Sequence, residues 1–184
     1  MDTSVVVLLA EGFEEIEAVT TVDLLRRTGM EVLMISVSRS RRVTGSHRIT
    51  VEADMILEDY NDIPDALVLP GGMPGAENLA ASALVKQLVQ SCVAQKKLIA
   101  GICAAPAFVL LPQGVLAGKR GTCFPGFERS FGTQAEYVDA GVVVDGNVIT
   151  ANGPGATAQF AIEIITYLIG PDKAAIVKSR ALIN

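Results

Sequence analysis

The hydrophobic positions of this chain form short apolar runs that alternate with longer stretches of helical periodicity. The runs Val5–Leu9, Ala66–Leu69 and Leu98–Ile102 contain no polar alternation, which is typical of parallel strands buried on both faces of a sheet. The full pattern predicts strands at Ser4–Leu9, Glu31–Val37, Ala66–Leu69 and Leu98–Ile102, and helices at Glu14–Thr28, Asn78–Lys96 and Ala104–Leu111. This βαβ order favours an α/β fold with a doubly wound, mostly parallel sheet and helices on both of its faces.

The remaining segments predict smaller additions to that sheet. Val43–Val51 is mixed in character, and Val142–Asp145 and Val148–Ala151 flank a Gly-Asn pair that suits a two-residue hairpin turn. We expect these segments to be antiparallel additions at a sheet edge. Apolar residues at helical spacing predict a further helix at Ala156–Ile169, followed by a short helix from about Lys173.

Composition narrows the class of protein. The chain has 184 residues, which suits a single domain spanning 1–184, and 50% of them are hydrophobic while 19% are charged, so disorder is excluded. The net charge of −5 argues against binding of nucleic acid, which requires a broad cationic face. No apolar run reaches the roughly 18 residues that a membrane span needs.

Two further features bear on the compartment. The first residues lack the basic start and long apolar region of a signal peptide. The three cysteines, Cys92, Cys103 and Cys123, are an odd set without paired spacing, which is typical of reduced thiols. We therefore expect a cytoplasmic protein that has no membrane partner.

Cys103 is the strongest candidate for a reactive residue. It follows the apolar strand Leu98–Ile102 and precedes a predicted helix with Pro106 in its first turn. In open α/β sheets the binding crevice lies at the carboxyl ends of the strands, and a nucleophile on a sharp turn there is exposed to substrate. We expect the free N–H groups of the helix start to lower the pKa of the thiol.

The alternative for any cysteine is a small buried hydrophobic residue. That alternative is preferred for Cys92, which lies among apolar residues of a predicted helix, whereas the position of Cys103 favours function. Cys123 fits equally well as a core residue of a loop or as a neighbour of the site.

Two other segments offer chemistry at the same sheet edge. Gly71 and Gly72 end the strand Ala66–Leu69, and the amides of Gly72 and Ala104 could form a two-donor hole for an oxyanion, although an ordinary glycine turn fits equally well. Glu17 shares a face of the first helix with apolar residues, so a partly buried carboxyl there could act as a general acid or base.

Acidic residues beside Glu17 have a simpler explanation. Glu14 and Glu15 open the first helix, where negative charge complements the helix dipole without any functional role.

Several kinds of site are excluded. The only histidine, His47, lies in the mixed region and not near a predicted strand end of the sheet, so a metal site built from several histidines is impossible. Ala104 occupies the place that a Cys-His pair would need. Neither a phosphate-binding P-loop nor a dinucleotide-binding glycine motif is present, and no cofactor is expected.

Four ordered motifs resemble those of the ThiJ/PfpI superfamily, in its DJ-one branch, over nearly the whole chain. These motifs are Ala10–Glu17, Leu69–Gly72, Gly101–Pro106 and Asn152–Gly155. The resemblance implies a flavodoxin-like homodimer, with the first helix and the region His47–Val51 as its interface.

The resemblance also implies roles for individual residues. Cys103 becomes a nucleophilic, oxidation-sensitive cysteine hydrogen bonded to a protonated Glu17. The amides of Gly72 and Ala104 line an anion-binding pocket, and the matching motifs add Gly71, Asn152, Gly153 and Pro154 to the substrate-binding residues.

The activities of the similar family are the glutathione-independent conversion of methylglyoxal or glyoxal to hydroxy acids, repair of early glycation adducts and redox-regulated chaperone action. We therefore expect a small aldehyde substrate, and the alternative is a redox-sensing stress protein in which Cys103 is oxidised to sulfinic acid. Ala104 departs from the protease branch, which has histidine there, and so argues against proteolysis. His47 and Asn152 stand where relatives often carry basic or other polar residues, which leaves less positive charge for an anionic substrate.

Overall fold

The central feature of the protein, in a computed structural model that describes residues 3–183, is a seven-stranded sheet. The strands along the chain are β1 (Ser4–Leu9), β2 (Glu31–Ser36), β3 (Arg42–Thr44), β4 (Thr50–Glu52), β5 (Met55–Ile56), β6 (Ala66–Leu69), β7 (Leu98–Ile102), β8 (Arg120–Gly121), β9 (Glu136–Tyr137), β10 (Val142–Asp145) and β11 (Val148–Ala151). The order across the large sheet is β10-β11-β7-β6-β1-β2-β5, and among these strands only β10 pairs antiparallel with its neighbour.

Helices cover both faces of this sheet, as the sequence predicts. They are α1 (Glu15–Arg26), α2 (Gly75–Ala81), α3 (Ala83–Ala94), α4 (Thr157–Ile169) and α5 (Pro171–Arg180). Alternate residues of β1 point to opposite sides, so that Val5 and Val7 join the core beneath α1 and α4, whereas Val6 and Leu8 join the core beneath α3. Burial on both faces explains why the strand shows an uninterrupted apolar run.

The strand order places a crevice at one edge of the sheet. The main parallel strands β2, β1, β6, β7 and β11 follow the flavodoxin order, in which the direction of winding reverses next to β1. Ligands of such sheets bind beyond the carboxyl ends of the strands at this reversal. The segments that follow β1, β6 and β7 carry Glu17, Gly71 and Cys103, so the topology brings them to one edge.

Two predicted helices differ from the observed ones. The helix predicted at Asn78–Lys96 is divided into α2 and α3, because Ser82 adopts an extended conformation and its side chain accepts a hydrogen bond from the Val85 amide. The helix predicted at Ala104–Leu111 is a short π-helical turn over Pro106–Leu110, in which the Leu111 amide donates to the Pro106 carbonyl. Cys103 is therefore followed by a wide turn and not by a regular α-helix.

The predictions for the antiparallel segments also need correction. The region Val43–Val51 is antiparallel as expected, but β3 and β4 form a separate two-stranded sheet and do not extend the large one. In the predicted hairpin only β10 is an edge strand, whereas β11 pairs in parallel with β7 inside the large sheet. The edge strand β5 was not predicted, since two residues are too few to carry a pattern. No helix in residues 3–183 has the length and apolar character that crossing a membrane requires.

Candidate active site

Cys103 lies on a strained turn directly after β7. Its φ angle of 64° is in the left-handed region, which is uncommon for a residue with a side chain and often marks a functional position. The backbone is held on both sides, because the Cys103 amide donates to the Ala151 carbonyl at 2.8 Å and the Cys103 carbonyl accepts from the Phe124 amide at 2.8 Å. The thiol is buried apart from 8% of the residue surface, so it opens only toward a pocket.

Gly71 brings α1 and Cys103 together. A methyl group at Gly71 would lie 2.6 Å from the Cys103 Cβ and 3.0 Å from its Sγ, closer than any side chain can pack. The Gly71 amide donates to Glu17 Oε2 at 2.7 Å, and its carbonyl accepts from the Glu14 amide at 3.0 Å. A residue without a side chain is therefore required for the carboxyl and the thiol to approach each other.

Gly72 satisfies a second backbone requirement. Its φ angle is 86°, and a side chain there would collide with the backbone of Gly12, Phe13 and Glu14. In this conformation the Gly72 amide, like that of Ala104, interacts with the Cys103 sulfur. Both amides thus lie beside the sulfur, and their role as a two-donor hole for an oxyanion stays a prediction.

Glu17 is a buried acid beside the thiol. It has no exposed surface, and burial raises its pKa to about 7 although the Gly71 amide and the nearby Cys103 thiol act in the opposite direction. Its Oε1 atom is buried without a well-formed hydrogen bond to any described residue, and the Cys103 thiol is the neighbour that interacts with the carboxyl. Glu17 can therefore exist in either protonation state near neutral pH.

The expectation that the helix start lowers the pKa of Cys103 is wrong for the free protein. Burial and the charge of Glu17 raise the pKa of the thiol to about 12, and the Gly72 and Ala104 amides offset only part of this. The short π-helical turn offers few aligned amides, and the low-dielectric surroundings penalise a thiolate next to a carboxylate. At neutral pH the Cys103 thiol therefore keeps its proton, while Glu17 is present in both its protonated and its ionised form.

A pocket of about 600 Å³ opens above the thiol. Besides Cys103, Gly72 and Ala104, it is lined by Glu14, Ile16, His47, Met73, Phe124, Pro125, Gly126, Phe127 and Pro154. Most of these side chains are apolar, and no lysine or arginine is among them.

The motif at Asn152–Pro154 contributes less to this pocket than the resemblance implies. Pro154 lines the pocket, but Asn152 and Gly153 do not. The Asn152 amide donates to the Gly141 carbonyl, and Gly153 packs against the ring of Phe124. Gly153 therefore contacts a residue of the pocket wall, Phe124, without lining the pocket itself.

His47 lies nearer the site than its place in the sequence suggests. Its side chain lines the pocket mouth and is 68% exposed, and its Nδ1 is 3.0 Å from Glu15 Oε2 and 3.5 Å from Glu14 Oε1. The hydrogen bond with Glu15 and the charge of Glu14 raise the pKa of His47. These three residues are a group within residues 3–183 whose ligand atoms could surround a cation, but their mutual hydrogen bonds already account for the arrangement.

Glu15 has a structural role that the helix dipole does not explain. Its Oε1 accepts from the amides of His47 at 2.8 Å and Ile49 at 3.3 Å. Burial would raise the pKa of Glu15, but hydrogen bonds from the His47 side chain and from backbone amides outweigh it and lower the pKa. Glu15 thus anchors the loop between β3 and β4.

The other cysteines are not part of the reacting group. Cys92 and Cys123 are fully buried in the core on the α3 side, whereas Cys103 belongs to the core on the α1 side. The side chain of Cys123 is a core residue. Its loop nonetheless adjoins the site, because the amide of the next residue, Phe124, donates to the Cys103 carbonyl.

The apolar wall of the pocket was not predicted from the sequence. Met73, Phe124 and Phe127 follow separate elements, and no periodicity links them. The only signal was a loop rich in aromatic residues and proline after Cys123.

Comparisons with known proteins agree with this arrangement. A model of the DJ-1/PfpI family matches residues 3–167. The chain is 38% identical over 182 residues to the Parkinson disease protein 7 homolog of Danio rerio, which covers 97% of this chain and 96% of the relative. The chain therefore belongs to the DJ-1/PfpI family, as its four motifs indicate.

Two further relatives have names that state an activity. A protein named as a deglycase from Pyrococcus abyssi is 36% identical over 166 residues, covering 89% of this chain and 98% of its own. A glutathione-independent glyoxalase of Caenorhabditis elegans is 35% identical over 173 residues, covering 93% and 91%. By contrast, the chain spans only 39% and 47% of the length of two Arabidopsis thaliana DJ-1 homologs, B and A, to which it is 37% and 38% identical.

Solved structures confirm the flavodoxin-like fold. Oxidized Toxoplasma gondii DJ-1 superposes with a TM-score of 0.95 at 36% identity and covers 98% of both chains. A DJ-1 superfamily protein of Salmonella typhimurium, in a form with one cysteine replaced by alanine, gives a TM-score of 0.95 at 37% identity and covers 99% of both chains.

Proposed function

We propose that this protein is a cofactor-independent cysteine enzyme that converts small α-oxoaldehydes, of the glutathione-independent glyoxalase or deglycase type. The observation that carries the proposal is the buried pair of Cys103 and Glu17 at the base of a pocket, with a carboxyl pKa of about 7. The names of the Pyrococcus and Caenorhabditis relatives support the same reaction class.

In the first step Cys103 adds to the aldehyde carbon of the substrate. Because burial holds the thiol pKa near 12, the thiol needs a base at the moment of attack, and ionised Glu17 is the adjacent group that accepts its proton. The new S–C bond gives an oxyanion, which the amides of Gly72 and Ala104 hold until it takes the thiol proton back from Glu17. The product is a neutral hemithioacetal beside an ionised Glu17.

In the second step Glu17 moves a proton between adjacent carbons. The carboxylate removes the hydrogen of the former aldehyde carbon and returns a proton to the neighbouring carbonyl carbon through an enediol. The hemithioacetal thereby becomes a thioester of a 2-hydroxy acid. Hydrolysis by water releases the hydroxy acid and restores the Cys103 thiol, so the reaction is an internal oxidation and reduction that needs no external oxidant.

The test is the consumption of methylglyoxal and the appearance of lactate without glutathione. We expect turnover by the wild-type protein and none above background by Cys103→Ser, with Cys92→Ser as a matched control that keeps its activity. Absence of turnover by wild type, or equal rates in wild type and Cys103→Ser, would overturn the proposal.

A redox-sensing role is the second candidate, and the oxidised form of the Toxoplasma relative favours it. In that role Cys103 becomes a sulfinic acid and protonated Glu17 donates a hydrogen bond to it. Mass spectrometry after mild peroxide, together with an aggregation assay of Cys103→Ser, tests whether selective oxidation alters the behaviour of the protein.

The homodimer stays a prediction. Exposed apolar side chains on and near its expected interface support it, namely Ile16 and Val19 of α1 and Ile49 of the β3–β4 loop, and light scattering measures it directly.

A further inference from the structure

The pocket above Cys103 has a size and a lining that a two- or three-carbon aldehyde does not need. Its volume of about 600 Å³ lies in the range of pockets for drug-sized ligands, roughly 300–1,000 Å³. One side of the pocket holds the thiol and the two amides that the reaction uses. The remaining wall is mainly apolar and includes Met73, Phe124, Phe127 and Pro154, beside Ile16, which also lies on the expected dimer interface.

Phe124 is the residue of this wall that is linked directly to the backbone of Cys103. Its amide donates to the carbonyl of Cys103 at 2.8 Å, so the two residues are tied through the backbone. A side chain at Gly153 would bring its Cβ to 3.2 Å from Phe124 Cδ2, so the glycine lies against one side of the ring. Absence of a side chain at Gly153 thus makes room for the ring.

The ring of Phe124 belongs to a chain of aromatic contacts. Its centroid lies 6.5 Å from that of Phe127, which in turn makes an edge-to-face contact with Phe108 at 5.1 Å. Phe124 is nonetheless 41% exposed, which leaves ring surface available to a ligand in the pocket. An aromatic side chain held by neighbours and open on one side is suited to packing against a flat apolar group.

The charges of the pocket lining argue against substrates that carry an anionic substituent. Within residues 3–183, His47 is the one side chain of the lining that can become cationic. It is already paired with Glu14 and Glu15. A phosphate or carboxylate on the substrate would therefore lack a counter-charge, whereas an apolar group would gain contacts.

From these observations we infer that the preferred substrates are α-oxoaldehydes with a ring-sized apolar substituent, such as an aryl group, and that Phe124 determines this preference. The inference rests on the proposed function, since it names the substrate class of that same site. Glyoxal and methylglyoxal fit the reacting centre but leave the apolar wall uncovered.

The turnover experiment compares phenylglyoxal with methylglyoxal and glyoxal. Wild type is expected to show the highest kcat/KM with phenylglyoxal, after subtraction of the rate of Cys103→Ser, which accounts for direct modification of arginines. Phe124→Ala should lower the ratio of the phenylglyoxal value to the methylglyoxal value about three- to tenfold, the factor that one aromatic pair contributes. Tyr167→Ala, which removes an aromatic residue of similar exposure outside the pocket, is the matched control and should alter neither value.

A second measurement keeps this inference separable from the proposed function. Bromoacetone and 2-bromoacetophenone both alkylate thiols, and mass spectrometry reports the rate of labelling at Cys103 without any turnover. We expect faster labelling by the aryl reagent in wild type, relative to free cysteine, and loss of this advantage in Phe124→Ala. An advantage that persists in Phe124→Ala, or is absent in wild type, overturns the inference even if methylglyoxal is consumed; failure of turnover with the advantage intact overturns the proposed function alone.

Discussion

Glu15 and Glu17 lie on the same helix, α1, and both are buried, yet their carboxyl groups have opposite pKa shifts. Glu15 accepts hydrogen bonds from two backbone amides and from the side chains of Ser46 and His47, and its pKa is lowered. Glu17 accepts from one amide, that of Gly71, and its pKa is raised to about 7.

The difference arises from the helix geometry. Residues two positions apart point in nearly opposite directions around a helix. Glu15 faces the loop between β3 and β4, where many donors point inward. Glu17 faces the carboxyl ends of β6 and β7, where the Gly71 amide donates to it and the amides of Gly72 and Ala104 interact with the Cys103 sulfur instead. The deeper burial of Glu17, together with its smaller number of donors, therefore decides that this carboxyl group and not that of Glu15 can exchange a proton at neutral pH.

The largest expected effect separates the two residues in catalysis. Glu17→Gln removes the proton acceptor and should lower kcat/KM for methylglyoxal about 100-fold or more, the usual contribution of a general base. Glu15→Gln should retain activity within a few-fold.

In wild type kcat/KM should rise as the pH passes about 7, the pKa of Glu17, because the ionised form accepts the thiol proton. Steady-state kinetics from pH 5 to 9 measure both, and a Glu17→Gln enzyme with near wild-type rates contradicts the assigned role.

The second effect is on stability. The pKa of Glu17 in the folded protein is about 7, against an ordinary value of 4.5. The folded state therefore binds an extra proton between these values, and its stability falls as pH rises through this window. One pKa unit corresponds to about 1.4 kcal/mol, which makes the total cost roughly 3 kcal/mol. Glu17→Gln should therefore be more stable than wild type at pH 8 but not at pH 4.

Glu15 should show the opposite sign. Its lowered pKa gives stability that is present above the unfolded pKa and lost as the pH falls below it. Urea unfolding of wild type, Glu17→Gln and Glu15→Gln at pH 4 and pH 8 measures the two differences. If the free energies of unfolding of the two variants, relative to wild type, changed in the same direction between pH 4 and pH 8, the contrast between Glu15 and Glu17 would be wrong.

The smallest effect concerns the loop that Glu15 anchors. Glu15→Ala leaves the amides of His47 and Ile49 without their acceptor, and we expect a loss of about 1–2 kcal/mol in the free energy of unfolding. Hydrogen exchange at these two amides should become faster, while the exchange of β1 amides is unchanged. Slow exchange at His47 and Ile49 in the variant would show that other groups hold the loop.

The sheet and the edge that carries the candidate site could be predicted from the sequence because burial on two faces leaves a direct pattern. Val5–Leu9 and Leu98–Ile102 are apolar throughout, and Cys103 and the pair Gly71-Gly72 come directly after such runs. The short strand β5 and the break at Ser82 were missed, since each depends on only one or two residues.

The chemistry of the site was predicted less completely. The sequence places Cys103 at a helix start and so predicts a lowered pKa, whereas the fold surrounds the thiol with apolar groups and a carboxyl that raise it. His47 is distant from the strand ends along the chain, but the β3–β4 loop folds back over α1 and carries it to the pocket mouth. Neither effect leaves a local pattern, because each depends on groups far apart in sequence.

What the sequence by itself determined is therefore the order of strands and helices, the glycines that permit close approach, and the identity of Cys103 and Glu17 as the candidate pair. Tertiary structure alone decided the proton affinities of that pair, the opposite environments of Glu15 and Glu17, and the apolar wall formed by Met73, Phe124 and Phe127. The physical reason is that periodicity and turn chemistry act over a few neighbouring residues, whereas desolvation, donor supply and pocket shape are set by segments that meet only when the sheet is complete.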